Sequence, residues 1–193
     1  MFSPQIQRVI DQVDRLRETV DDHWQIPRDE AALLAQLVRL GRCVSICEIG
    51  ASYGFSTLHL AAAAFENGGH VHSLEQDPKK VAATTKHLSE AGLDGAATVH
   101  EGDARATLKG MNPGSSFDFV FIDAQKSQSF DYLEAIWPLL APTATIVTDN
   151  TTTHAEELAS FVAHLRSRPN VVSCHVPVGN GFELTIRRTE LPG

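Results

Sequence analysis

The sequence predicts an α/β protein with one doubly wound, mostly parallel sheet of seven strands, helices on both faces and an antiparallel last strand. Two observations predict this class. Between residues 44 and 167, short apolar runs alternate with stretches of helical periodicity, a pattern typical of parallel sheets. Two further strand-like runs follow, joined by "GNG", a hairpin signal that makes the final strand antiparallel to its neighbour.

Hydrophobic spacing predicts the individual elements. Two helices come first, at residues 4–22 and 28–40, because apolar residues recur there at helical intervals. Strands are expected near residues 44–49, 71–75, 97–100, 118–122 and 144–148, and helices over residues 55–66, 78–91, 128–140 and 154–167. Since no internal repeat or linker divides the chain, we expect one domain over 1–193, with an N-terminal helix or lid segment over 1–26 and the sheet-forming core over 27–193.

The charge balance argues against polyanionic partners. Lys and Arg total 16 against 24 Asp and Glu, a formal net charge of −8, and no basic run interrupts the chain. We therefore expect neither a nucleic acid nor a membrane partner, and favour chemistry on a small molecule. The first residues have no basic segment followed by an apolar one, and no stretch approaches the roughly 20 apolar residues that span a bilayer. The expected location is the cytoplasm.

The cysteines raise one alternative. The chain has three, Cys43, Cys47 and Cys174, a count that fits a reducing compartment better than a disulfide scaffold. Cys43 and Cys47, together with His70 and His72 on the next strand, could supply ligands for zinc. Their spacing lacks a CxxC pair, so we favour small core residues over a zinc site.

The turn after the first predicted strand is built for a close ligand. Residues 48–54 read "EIGASYG", which lacks the G-x-G-x-x-G of a pyrophosphate-binding turn. Gly50 and Gly54 still permit a tight turn and let a ligand approach its backbone closely. Such a turn suits an adenosyl group that carries no phosphate.

Two acids at later strand ends agree with an adenosine. In open α/β sheets, ligands bind outside the carboxyl ends of the strands. Glu75 closes the second predicted strand, where a carboxylate accepts hydrogen bonds from both ribose hydroxyls. Asp103, in "EGDA" after the third strand, is expected beside the adenine.

The fourth and fifth predicted strands end in metal-binding residue types. "FIDAQK" contains Asp123 and Lys126, and "TDNT" contains the adjacent pair Asp149 and Asn150. Adjacent parallel strands lie about 4.8 Å apart, so three oxygen ligands from these two ends can meet on one hard cation. We predict Mg²⁺, with Ca²⁺ or Mn²⁺ as alternatives, because crowded carboxylates without a cation would repel each other.

In these motifs the chain resembles the S-adenosylmethionine-dependent O-methyltransferases of the catechol and caffeoyl-CoA type. From Pro27 onward, "EIGASYGFST", "SLEQDP", "GDA", "FIDAQK" and "TDNT" occur in the family's order. The resemblance implies a Rossmann-like fold and S-adenosylmethionine as cofactor. It implies a cofactor site formed by Glu48, Gly50, Ser52, Ser56, Glu75, Asp103 and Asp123. It also implies a metal site of Asp123, Asp149 and Asn150, and a catalytic pair of Lys126, the general base, and Asp123.

The expected function is divalent-metal-assisted O-methylation of a small, hydroxylated, catechol-like acceptor. Gln125 stands where many members of the family have Asp or Trp, and Ser52 stands where an aromatic residue is common. After Asn150 the chain continues "TTTHAEEL" into a helix, which indicates a more open acceptor pocket. His154 in this stretch either approaches the acceptor or caps the helix.

Three other functions remain open at this stage. A metal-independent methyltransferase would use the same cofactor site, with Asp149 and Asn150 as structural residues. A non-catalytic adenosyl-binding protein would keep Glu75 without needing Lys126. A nucleotide-linked oxidoreductase is disfavoured because Ser52 and Tyr53 replace its glycine pattern.

The N-terminal helix carries an apolar stripe and is followed by "HWQIP". A stripe of this kind indicates either a lid or a contact in a homodimer. We expect Trp24 and Ile26 to lie near the mouth of the active site.

Overall fold

A computed structural model describes residues 2–111 and 116–188, which form a seven-stranded sheet. The strands are β1 (Ser45–Ile49), β2 (His70–Glu75), β3 (Ala97–Glu101), β4 (Phe117–Ile122), β5 (Leu140–Thr148), β6 (Val171–Val176) and β7 (Phe182–Arg187). Their order across the sheet is β3-β2-β1-β4-β5-β7-β6. Neighbours from β3 to β5 are parallel, whereas β7 is antiparallel to both β5 and β6. The predicted fold class is confirmed, and β6 rather than β7 is the edge strand.

Helices cover both faces of the sheet, as predicted. They are α1 (Pro4–Arg15), α2 (Arg28–Gly41), α3 (Phe55–Glu66), α4 (Pro78–Ala91), α5 (Ala104–Gly110), α6 (Ser129–Ile136) and α7 (Ala155–Ser167). Short 3₁₀ turns occupy Leu16–Glu18, Lys126–Gln128 and Trp137–Leu139. Within the described residues, none of these helices has the length and apolarity that a membrane crossing requires.

The boundaries differ from the predicted ones in four places. The helix expected over 4–22 ends at Arg15 and is followed by the 3₁₀ turn Leu16–Glu18. The helix expected over 128–140 stops at Ile136, and Pro138 lies in the 3₁₀ turn that leads into β5. Because that turn is short, β5 begins at Leu140, four residues before the predicted start. Helix α5 was not predicted; Asp103 initiates it by accepting hydrogen bonds from the backbone N–H groups of Arg105 and Ala106.

Two apolar layers lie on opposite faces of the sheet. One joins helices α1–α4 to residues such as Phe119 and Phe121 of β4, and the other joins α5 and α6 to Val120 and its neighbours. A smaller cluster packs α6 against α7. From Phe119 to Ile122 the side chains of β4 therefore alternate between two buried layers, which explains why this part of the strand is entirely apolar.

The stripe of α1 packs inside the chain. Val9, Ile10 and Val13 are buried in the layer that contains α3 and α4. The stripe is thus part of the core, which gives no support to the dimer contact expected from it. Ile26 is also in this core, at 1% exposure, because burial of an isoleucine side chain is favourable; the side chain is thus a core residue next to the segment that carries Trp24.

The cysteines behave as core residues. Cys43 and Cys47 are buried and unpaired, and burial raises the pKa of the Cys43 thiol to about 11. His72 Nδ1 lies 3.0 Å from His100 Nε2. In residues 2–111 and 116–188, no three His, Cys, Asp or Glu side chains are arranged to hold a metal ion, so the zinc alternative finds no support.

Glu48 links β1, β2 and α3 beneath the turn at residues 50–54. Its side chain is fully buried, and Oε2 accepts hydrogen bonds from Thr57 Oγ1 and Ser73 Oγ, both at 2.5 Å. Oε1 has no partner among the described residues. Burial raises the pKa of Glu48 from its ordinary value of 4.5 to about 7.

Because the pKa of Glu48 is raised, the unfolding free energy of the Glu48→Gln variant should increase relative to that of wild type as pH rises. Below about pH 4.5 the carboxyl is protonated in both the folded and the unfolded chain, so it imposes no charge penalty. Above about pH 7 it is charged in both, and the folded state bears the cost of the buried charge. Relative to wild type, the variant should gain about 1 to 3 kcal/mol of unfolding free energy between pH 4.5 and 8 in urea titrations.

Glu66→Gln is the matched control. The guanidinium of Arg39 lowers the pKa of Glu66 from its ordinary value of 4.5, so the stability contributed by this carboxylate is lost only as pH falls below about 4.5, and the difference between Glu66→Gln and wild type should stay constant from pH 4.5 to 8. A Glu48→Gln difference that stayed constant from pH 4.5 to 8 would contradict the buried-charge explanation.

Candidate active site

A cleft of about 800 Å³ opens at the carboxyl ends of the parallel strands. The ladder of backbone hydrogen bonds continues just past the strand ends: Gly50 N–H donates to Leu74 O, Asp123 N–H to Ile49 O, and Asp149 N–H to Ile122 O. The residues that follow β1, β4 and β5 are therefore held side by side. All three line the cleft.

Gly50 allows the turn after β1 to touch the turn after β4. Its φ is +100°, and a Cβ atom there would lie 2.1 Å from the carbonyl oxygen of Asp123. No other residue type fits this contact without moving the backbone. Gly54, with φ of +89°, precedes α3, and its Cβ would lie 2.8 Å from Thr84 Cγ2.

Glu75 is held rigidly at the wall of the cleft. Its Oε2 accepts from the backbone N–H of Ser52 at 2.8 Å, and its Oε1 accepts from that of Asp77 at 3.0 Å. Each oxygen retains a further lone pair for a ligand hydroxyl. Gly50, Ser52 and Glu75 line the same cleft, so the structure brings this part of the predicted cofactor set together.

Three other predicted cofactor residues are not part of the cleft lining. Glu48 and Ser56 are buried behind the turn. Asp103 caps α5 and pairs with Arg105, whose guanidinium lowers the pKa of Asp103 to about 2. Its neighbours Gly102 and Ala104 do line the cleft, so the strand end is near the site although the carboxylate is engaged elsewhere.

Lys126 and Asp123 form an ion pair in the cleft. Lys126 Nζ donates to Asp123 Oδ1 at 2.9 Å and to Ala124 O at 3.0 Å. Both side chains are mostly buried, at 16% and 20% exposure. A cation bound to Asp123 would compete with this contact, and the ammonium group would then be available to the cleft.

Asp149 is a buried carboxylate without a partner. It is 1% exposed, and neither of its oxygens has a hydrogen bond within the described residues. Burial, together with the charges of Asp123 and Glu30, raises its pKa to about 8. Unpartnered buried carboxylate oxygens at a cleft wall fit a bound cation.

Asn150 follows in a left-handed conformation, with φ of +67°. Its Nδ2 donates to Thr153 Oγ1 at 3.3 Å, which leaves the amide oxygen as the atom suited to a cation. The predicted metal set thus consists of two carboxylates and one amide around the same cleft. It differs in kind from a cluster of three acids, histidines or cysteines, which the described residues lack.

Asn180 lines the cleft, and Glu30 accepts a hydrogen bond from its backbone N–H; neither residue was predicted from the sequence. Glu30, in the first turn of α2, is 0% exposed, and burial raises its pKa to about 7. Its Oε1 accepts from the backbone N–H groups of Asn180 and Gly181. An acid at a helix start is ordinarily an exposed residue that favours the helix dipole, so the sequence carried no signal of this burial.

The segment between α1 and α2 forms one wall of the cleft. The rings of His23 and Tyr53 stack with centroids 4.9 Å apart, and Tyr53 Oη donates to Asp22 Oδ1 at 3.0 Å. Trp24 lines the cleft and is 76% exposed. The predicted position of Trp24 at the mouth agrees with this arrangement.

Two residues that the sequence analysis singled out for the acceptor also line the cleft. Gln125 follows the turn after β4, and His154 occupies the N-cap position of α7. The His154 side chain makes no capping hydrogen bond; its Nδ1 lies 3.2 Å from Thr153 Oγ1. The capping role considered from the sequence is therefore not observed.

Sequence comparison agrees with this geometry. Catechol O-methyltransferase from Niastella koreensis is 33% identical over 127 residues, which cover 63% of this chain and 56% of that protein. The Mycobacterium tuberculosis catechol O-methyltransferase is 37% identical over 118 residues, 61% of this chain and 51% of that protein. These matches span about half of each relative's length. Caffeoyl-CoA O-methyltransferase from Medicago sativa is 28% identical over 199 residues, 89% of this chain and 80% of that protein.

Solved structures share the fold. Cofactor-bound Rv0187 from MTB superposes with a TM-score of 0.80 at 26% identity, over 97% of this chain and 91% of that one. An O-methyltransferase from Bacillus cereus, in complex with SAH, gives a TM-score of 0.85 at 24% identity, over 94% and 91%. The profile of the O-methyltransferase family matches residues 7–188. The chain therefore belongs to the O-methyltransferase family, as the resemblance in its motifs predicted.

Proposed function

We propose that this protein transfers a methyl group from S-adenosylmethionine to a small acceptor with adjacent hydroxyl groups, assisted by a divalent cation. The observation that carries the proposal is the unpartnered carboxylate of Asp149, which faces the same cleft as the Gly50 turn and Glu75. One half of the cleft suits an adenosyl ligand. The other half has the oxygen ligands and the amine that deprotonation of a hydroxyl requires.

The cofactor assignment is supported by the Gly50 turn and by Glu75. The turn lets a ligand approach the backbone closely and lacks the glycine pattern of a pyrophosphate site. The oriented carboxylate of Glu75 suits the ribose hydroxyls. The Bacillus cereus relative was solved with SAH, the product form of this cofactor. The missing glycine pattern disfavours a nicotinamide cofactor.

The cation assignment is supported by the donor set. Asp123, Asp149 and Asn150 offer oxygen ligands, which Mg²⁺, Ca²⁺ and Mn²⁺ prefer. When bound, the cation would orient two adjacent acceptor oxygens and lower the pKa of the hydroxyl that is methylated. A vicinal diphenol offers two adjacent oxygens for the cation, whereas a simple alcohol offers only one. The catechol O-methyltransferase relatives carry that acceptor class in their names.

Lys126 is proposed as the general base. Its amine lies beside Asp123 in the cleft. A small rotation of the Lys126 side chain would therefore bring the amine to an acceptor hydroxyl bound next to Asp123. Once a bound cation competes for Asp123, the neutral form of this amine would accept the hydroxyl proton as the oxygen attacks the sulfonium methyl group in line. Trp24 and His23 would cover the reactants from the N-terminal side and reduce access of water.

A metal-independent methyltransferase is the second candidate. The Lys126–Asp123 ion pair compensates one of the two carboxylates without any cation. In that case Asp149 would be neutral at moderate pH, in keeping with its raised pKa of about 8, and Lys126 would act alone.

The first prediction concerns Glu75 and the cofactor. S-adenosylhomocysteine should bind the wild-type protein, and Glu75→Ala should weaken binding by about 1 to 3 kcal/mol in calorimetry, because a charged acceptor is lost. Glu101→Ala is the matched control, since Glu101 is the register partner of Glu75 on β3 but is not part of the cleft lining. Unchanged affinity in Glu75→Ala, or tight binding of NAD by wild type, would refute the assignment.

The second prediction concerns the cation. Radiolabelled methyl transfer to a panel of vicinal diphenols should cease in EDTA and return with Mg²⁺. Asp149→Ala should reduce it by roughly 100-fold or more, because a Lewis acid contributes several kcal/mol. Asp94→Ala removes the same charge at an exposed position and should leave the rate unchanged. If transfer continues undiminished in EDTA, the metal-independent candidate is the correct one.

The third prediction concerns the base. Lys126→Ala should retain binding of Mn²⁺ and S-adenosylhomocysteine but lose turnover, and its deficit should narrow as pH rises, because the acceptor hydroxyl then ionises unaided. Lys79→Ala, at an exposed position of α4, controls for net charge. A deficit that is the same at every pH would mean that Lys126 does not act as the base.

A further inference from the structure

Glu30 is a carboxylate buried where charged side chains are rarely found. It is 0% exposed, and one oxygen, Oε1, accepts hydrogen bonds from two successive backbone N–H groups, those of Asn180 and Gly181. The other oxygen, Oε2, is buried and has no hydrogen-bond partner within the described part of the chain. Two features of Glu30 therefore need an explanation, its contact with the 179–181 turn and its unpartnered charge.

The 179–181 turn fits tightly between Glu30 and the loop after β5. Gly179 has a φ of +55°, and a Cβ there would lie 2.5 Å from Glu30 Oε1. Gly181 has a φ of +86°, and its Cβ would lie 2.1 Å from Thr152 Oγ1. The two glycines let the turn contact α2 on one side and the loop on the other.

The same turn holds the loop that begins at Asn150. Asn180 O accepts from the N–H groups of Thr152 and Thr153, at 2.9 and 3.2 Å, and Gly181 O accepts from that of Thr151 at 3.0 Å. The N–H groups of the turn thus bond to Glu30, and its carbonyl groups bond to the loop. Asn150 has a left-handed backbone, which persists only where the surroundings hold it.

The charge of Glu30 acts on the same site. Asn180, whose N–H donates to Glu30 Oε1, lines the same cleft as Asp123 and Asp149, and burial together with the charge of Asp123 raises the pKa of Glu30. The three carboxylates are close enough to repel one another, yet in the described residues they do not form a set of three direct metal ligands. Glu30 therefore adds negative potential to the site from outside a coordination shell.

We propose that Glu30 is a positioning residue of the divalent-cation site: one oxygen fixes the 179–181 turn against the Asn150 loop, and the unpartnered oxygen strengthens cation binding by Asp123 and Asp149. This inference rests on the proposed function, because it requires that Asp123, Asp149 and Asn150 bind a cation. It extends that function to a residue on α2, about 120 positions before Asn150 in the chain.

The first arm of the test measures Mn²⁺ affinity by electron paramagnetic resonance in the full-length protein. Glu30→Gln keeps an amide oxygen for the two N–H groups but removes the charge, and it should weaken Mn²⁺ binding roughly 10-fold, as expected for a residue outside the coordination shell. Asp29→Asn is the control: it changes net charge equally at the adjacent, exposed position and should change affinity less than 2-fold.

The second arm measures amide hydrogen exchange in the metal-free protein. Glu30→Ala removes both hydrogen bonds to the turn, so exchange at Thr151, Thr152 and Thr153 should accelerate by roughly 10-fold or more. Glu30→Gln should leave exchange at these amides near the wild-type rate. This arm tests the positioning role without any cation.

The outcomes separate the two claims. Wild-type protein that binds no Mn²⁺ would overturn the metal-assisted function and the role of the Glu30 charge together. If wild type binds Mn²⁺ and Glu30→Gln binds it equally well, or if Asp29→Asn weakens binding as much, the charge role is wrong while the proposed function survives. Unchanged exchange at residues 151–153 in Glu30→Ala would overturn the positioning role.

Discussion

Several carboxylates lie close together at the carboxyl end of the parallel sheet, and some of them are buried. Asp149 is nearly inaccessible and has no hydrogen bond in the described structure, and Asp123 and Glu30 are close enough for their charges to raise its pKa. Lys126 compensates part of this charge through Asp123. Buried carboxylates without compensation are costly, so a site of this kind either keeps a proton or takes up a cation. The chemistry proposed for the cleft depends on the second outcome.

The sheet produces this concentration through its backbone. The hydrogen-bond ladder continues past β1, β4 and β5, so Gly50, Asp123 and Asp149 lie next to one another. Gly50 then allows contact with the Asp123 carbonyl that a Cβ atom would block. The adenosyl half and the metal half of the proposed site are consequently joined by one rigid backbone contact. A cofactor bound along the Gly50 turn would therefore lie beside the Asp123 carboxylate.

Much of this arrangement could be predicted from the sequence because its signals are local. Apolar runs followed by glycine or by acids mark the strands and their carboxyl ends, and parallel strands bring these ends to one edge. That reasoning was sufficient for the fold class and for the grouping of Asp123, Asp149 and Asn150 around one cleft. It also predicted the proximity of Trp24 to the mouth.

What could not be predicted depends on contacts distant in sequence. Glu30 meets Asn180 across 150 positions, and nothing in the start of α2 distinguishes it from an ordinary surface acid. Asp103 has the residue type for an adenine contact, but Arg105, two positions later, engages its carboxylate. Ile26 sits in a segment that otherwise lines the cleft, yet packing against the core decides its position.

The central claim is that Asp123, Asp149 and Asn150 bind one divalent cation at the bottom of the cofactor cleft. Anomalous diffraction from a crystal of the protein grown with Mn²⁺ and S-adenosylhomocysteine tests it most directly. We expect a single strong peak about 2 Å from oxygens of all three residues, with Lys126 displaced from Asp123. A fully occupied cofactor cleft with no anomalous peak at these oxygens, and Lys126 still paired with Asp123, would contradict it.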